Sequence, residues 1–79
     1  MTPDEVQDLI QSGLEGATVQ VEGDGAHFQA VVIWEQFAGK TSVQRQRMVY
    51  SVINEWTQDG RLHAISLKTH TPSEMESEH

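Results

Sequence analysis

Apolar residues recur along this chain in several rhythms, and each rhythm implies a different element. Val6, Leu9, Ile10 and Leu14 stand three or four positions apart and make one stripe of a helix. The Thr2-Pro3-Asp4-Glu5 start ahead of them is a helix signal. Thr2 caps, Pro3 suits a first helical position that needs no N–H, and Glu5 stands where a capping box wants its carboxylate. Gly13 and Gly16 end the helix. From Ala17 to Glu22 the rhythm becomes alternation, with Ala17, Val19 and Val21 on one side, which predicts a half-buried strand. Gly23-Asp24-Gly25 reads as a flexible turn. Phe28 to Trp34 is nearly all apolar and predicts a strand with neighbours on both edges and cover on at least part of both faces.

Glu35 to Ser42 reads as a loop. Thr41 or Ser42 then caps a second helix, whose Val49, Val52, Ile53 and Trp56 form an amphipathic stripe. Val43 to Arg47 fits either this helix or a separate short one. Asp59-Gly60 ends the helix. Leu62 to Lys68 alternates and predicts a third strand, with Ile65 and Leu67 on one face and His70 in a polar loop beyond it. Thr71-Pro72-Ser73-Glu74 repeats the capping signal with little apolar material after it. Residues 1–70 thus read as a single domain and 71–79 as a short frayed helical turn and acidic tail.

The order is α-β-β-α-(α)-β. The first two strands make an antiparallel hairpin, and the helical crossover favours parallel pairing of the third strand with the second. The expected fold class is α+β, with a three-stranded mixed sheet and helices on one face. Val6, Leu9, Ile10, Val19, Val21, Val32, Val49, Val52, Ile53, Ile65 and Leu67 are the expected core.

With 79 residues the chain is near the lower limit for a self-sufficient core. It has no cysteine, so disulfides and thiolate metal sites within the chain are excluded. No run has the length of a transmembrane helix and no secretory leader is visible, so a cytoplasmic protein without membrane contact is expected. The formal net charge of −7 opposes nucleic acid as a partner, but its distribution is uneven. All 5 cations lie between Lys40 and Lys68. Lys40, Arg45 and Arg47, near a helix start, are the candidate contacts to phosphates of DNA or RNA. Ordinary surface charge is the plainer reading of the same pattern.

Two histidines change the picture. His27 opens the second strand and His63 is the second residue of the expected third. In parallel neighbours about 4.8 Å apart, those ends lie together. Imidazole suits iron, zinc and copper. Two histidines do not complete a four-coordinate site, so further ligands come from a second molecule. A polar end-cap is the alternative for either ring. No nucleophile, acid–base pair or phosphate loop appears, and no enzyme is expected.

The stretches "GDGAHFQAVVI", "FAGKTSVQRQRMVYSVI" and "LHAISLKTHTP" closely resemble the BolA family, in its short acid-stress (IbaG-type) branch, over roughly residues 4 to 74. The resemblance implies a fold similar to class II KH domains. It also implies a non-enzymatic adaptor that partners a monothiol glutaredoxin and shares a [2Fe-2S] cluster with it and a glutathione. Carried onto this chain, the ligands it implies are His63 and His27, the thiolates coming from glutaredoxin and glutathione. His63 is then expected to matter more than His27, which follows a flexible turn. A nucleic-acid-binding stress regulator is the alternative. Against it, position 42 is Ser, so Gly39 lacks the second glycine of a KH-type GXXG grip.

Overall fold

In the computed structural model, residues 2–24, 26–58, 60, 62 and 64–76 are described. The elements are α1 (Pro3–Gly13), β1 (Thr18–Gly23), β2 (His27–Ile33), a 3-10 turn (Glu35–Phe37), α2 (Ser42–Gln58), β3 (Ala64–His70) and α3 (Pro72–Glu76). Each α-helix starts where its capping signal stands. At α1, Thr2 Oγ1 accepts the Glu5 N–H and the Glu5 carboxylate accepts the Thr2 N–H. Thr41 and Gln44 repeat the reciprocal pair at α2, and Thr71 and Glu74 at α3. Val43–Arg47 belongs to α2, which is one continuous helix.

The sheet order is β1-β2-β3. β1 pairs antiparallel with β2, Val19 opposite Val32, and β3 pairs parallel with β2, Phe28 opposite Ile65. The fold is therefore the expected α+β layer with a three-stranded mixed sheet. Val19, Phe28, Ala30 and Val32 turn to the helices and are buried with Val6 and Ile10 of α1 and Val49 and Ile53 of α2.

β2 has neighbours on both edges, as expected, and its cover is full on the helix-packed face, with Phe28, Ala30 and Val32 buried, and partial on the other, with Val31 and Ile33 half-buried and Gln29 exposed. Other expectations need correction. β3 begins at Ala64 rather than Leu62, and His70 is its last residue, its carbonyl accepting the Trp34 N–H at 2.9 Å. Leu9, Val21, Val52, Ile65 and Leu67 are half-buried around the core rather than inside it, while Phe37 and Leu62, both at 0% exposure, are inside.

Phe37 explains why residues 35–41 are more than a loop. The 3-10 turn drives its ring into the core, edge-on to Trp34 with centroids 5.4 Å apart. Gly39 then takes a positive φ of 77°, a conformation that is cheap for glycine, on the way into α2. Among the described residues no helix is long and apolar enough to cross a membrane.

Candidate functional site

The β1–β2 turn carries His27. Gly23 closes β1 opposite Phe28. A Cβ on Gly23 would run into the His27 carbonyl oxygen and stand 2.8 Å from a Phe28 ring carbon, so the backbones approach only because glycine is there. Asp24 Oδ1 accepts the N–H groups of Ala26 and His27, both at 2.9 Å. The Asp24 N–H donates to the His27 carbonyl at 3.3 Å. Those backbone N–H bonds, His27 first, hold the Asp24 carboxyl below the usual carboxylate range. The next residue, Phe28, is anchored in the core at 1% exposure. His27 itself is exposed and borders a shallow cleft of about 320 Å³ with Glu22, Gly23, Asp24 and Gln29.

The parallel register sets His27 opposite Ala64. The starting ends of β2 and β3 are therefore neighbours, as the sequence predicts. His63, the other expected ligand, lies outside the described residues. Among the described residues no three His, Asp or Glu side chains gather as a metal site. An exposed imidazole on a determined backbone fits a metal or cluster whose other ligands arrive with a second molecule.

The three candidate phosphate-binding cations separate. Lys40 and Arg47 are exposed. Arg45 is not available as expected: its side chain is 12% exposed and its guanidinium is occupied. Nε donates to the Phe37 and Lys40 carbonyls, each at 3.1 Å, and Nη1 reaches the Thr69 carbonyl at 3.4 Å. Nη1 and Nη2 grip the two oxygens of Glu74 at 2.8 and 2.9 Å. The guanidinium also lies 5.9 Å from the Phe37 ring centroid. Glu74 is held at about 2 by Arg45 first and the Thr71 N–H second. The cleft between Gly39, Arg45 and Pro72–Glu74 holds about 500 Å³. It sits where β2 and β3 end, about 20 Å along the strands from His27 at the usual rise per residue.

The sequence signals missed two residues. Asp24 is visible as a turn residue, and its Asx-type bonds to the chain ahead are what aspartate does in turns. Glu74 is visible as a capping residue, but its partner stands 29 positions away.

A three-stranded mixed sheet with helices on one face, a His-bearing turn at one end and no cysteine define a small α+β domain. The BolA-like protein family model matches residues 6–74, and the chain belongs to the BolA family. The acid stress protein IbaG of Escherichia coli (strain K12) is 39% identical over 74 residues, covering 94% of this chain and 88% of that protein. A solved bolA protein homologue from Coxiella burnetii superposes with a TM-score of 0.87 at 40% identity, covering 96% of this chain and 97% of that one. BolA1 from Arabidopsis thaliana gives a TM-score of 0.75 at 30% identity, covering 91% and 93%.

Proposed function

We propose that this chain is a non-enzymatic adaptor that partners a monothiol glutaredoxin in the cytoplasm and shares a [2Fe-2S] cluster with it, in iron–sulfur trafficking or in iron and stress sensing. The carrying observation is the β2–β3 register: exposed His27 stands opposite Ala64, the residue that follows His63 in the chain. Within this reading His27 and His63 hold one side of the cluster, and glutaredoxin and glutathione supply the thiolates that a cysteine-free chain lacks. Histidine ligation raises the potential of such a centre above that of an all-thiolate one. The E. coli relative's name, acid stress protein, supports the stress-related setting. The element order supports reading the fold as class II KH-like, with one long α2 where a pair of helices was allowed for.

Nucleic-acid binding is the weaker reading. Of its three cations only Lys40 and Arg47 remain exposed, and non-specific affinity rests on cation count.

The test is titration of the unmodified chain, His63→Ala and His27→Ala into cluster-loaded glutaredoxin with glutathione, followed by visible absorbance and circular dichroism. The unmodified chain gives a mixed-ligand spectrum, His63→Ala abolishes it, and His27→Ala weakens it. Identical spectra from all three proteins would remove the adaptor mechanism.

A further inference from the structure

Among the described residues, Asp24 binds both backbone polar groups of His27. Asp24 Oδ1 accepts the His27 N–H at 2.9 Å, and the Asp24 N–H donates to the His27 carbonyl at 3.3 Å. Both backbone polar groups of His27 are thus bound by one residue, three positions earlier. The Ala26 N–H goes to the same oxygen at 2.9 Å. Gly23 backs the carbonyl side so closely that no Cβ fits. Phe28 pins the other side in the core. A Gly-Asp-Gly sequence reads as flexible, yet the turn ends on a backbone with little freedom left.

We infer that Asp24 is a positioning residue for His27: through its paired N–H bonds it presets the backbone from which the imidazole meets a cluster-bearing partner. The inference rests on the adaptor reading and adds to it a residue outside the ligand set. A ligand on a loose turn loses conformational freedom when it binds, whereas a preset one has lost it on folding. Outer residues that orient a ligand typically matter about 10–100-fold in metal affinity. The need is for an acceptor oxygen at one place, not for charge. Asparagine keeps an Oδ1 there. Glutamate keeps the charge but moves the oxygen by one methylene. Alanine has neither.

The experiment compares the full chain with Asp24→Ala, Asp24→Asn, Asp24→Glu and His27→Ala. One readout is amide hydrogen exchange of Ala26 and His27 in the free protein by NMR. The other is affinity for cluster-loaded monothiol glutaredoxin with glutathione, by visible circular dichroism. Asp24→Ala and Asp24→Glu are expected to speed exchange at both amides and to weaken binding about 10-fold or more. Asp24→Asn is expected to stay near the unmodified protein in both. If Asp24→Ala unfolds the chain, the contrast of Asn with Glu carries the test. The inference is overturned if Asp24→Glu binds like the unmodified protein, or if Asn fails as Glu does. A weakened spectrum in His27→Ala with an unchanged one in Asp24→Ala sinks the positioning role alone. An unmodified spectrum from His27→Ala sinks the ligand reading itself and the positioning role with it.

Discussion

Arg45 and Glu74 meet in a two-pronged ion pair, Nη1 to Oε1 at 2.8 Å and Nη2 to Oε2 at 2.9 Å, which ties α3 to the first turns of α2. The pair joins an Arg of 12% side-chain exposure to a Glu of 43%, so solvent screens one end and the fold holds the other. Fork-to-fork geometry is what separates such a pair from ordinary surface charge.

Arg45→Ala should lower the melting temperature, because it leaves the Phe37, Lys40 and Thr69 carbonyls and the Glu74 carboxylate without their shared donor. Arg45→Lys should not restore it, since an ammonium cannot supply the planar fork. Arg47→Ala, on an exposed position of the same helix, should stay within about 0.5 kcal/mol of the unmodified protein. Equal melting temperatures for Arg45→Ala and Arg47→Ala would show that the network is decorative.

The same pair sets an acid response. Glu74 is held at about 2 in the folded chain, against 4.5 for the free side chain. A carboxyl lowered by folding stabilises the fold fully above its unfolded value, and that contribution fades as pH falls toward the folded value. The advantage of the unmodified protein over Glu74→Gln should thus be constant above about pH 4.5 and shrink between about pH 4.5 and 2. Melting curves across that window check it. A difference that grows on acidification contradicts the assignment.

Burial ranks the core. Ile53 and Phe37 are both at 0% exposure, whereas Ile65 is half-buried. Ile53→Ala should cost about 2–5 kcal/mol and Phe37→Ala about 3–5 kcal/mol. Ile65→Ala should cost clearly less than Ile53→Ala. Urea unfolding of the three variants measures the order, and an Ile65 cost equal to that of Ile53 would mean the edge of the sheet is as closed as its centre.

Gly13 tests the α1–α2 contact. Replacing a helical glycine by alanine ordinarily stabilises by about 1 kcal/mol. Here a Cβ at position 13 would run into both methyl groups of Val52. Gly13→Ala should therefore destabilise, and the loss should be partly recovered when Val52→Ala is added. A double-mutant cycle by chemical denaturation reads the coupling. Additive effects would place the helices further apart.

Much of this protein was legible in its sequence, because the deciding forces act over three or four residues. Three capping signals, at Thr2, Thr41 and Thr71, each mark the start of a helix, since a side-chain oxygen meets orphan N–H groups only a few positions ahead. Alternation marked β1, and the long crossover indicated that β3 would run parallel to β2. The motifs around His27 and Lys40 pointed to the BolA family, to which the chain belongs.

What only the tertiary structure decided depends on residues distant in the chain. Arg45 reads as one of three cations for a phosphate surface, yet Glu74 and the Thr69 carbonyl turn it inward. Phe37 reads as a loop residue, yet the space beside Trp34 buries it. β2 reads as covered on at least part of both faces, and it is, but an apolar run has no period to say which side meets the helices; packing against α1 and α2 chose Phe28, Ala30 and Val32. His27 follows a turn that composition marks as loose. The Asp24 carboxylate and the closeness of Gly23 hold it, and both act through distances that a linear pattern does not contain.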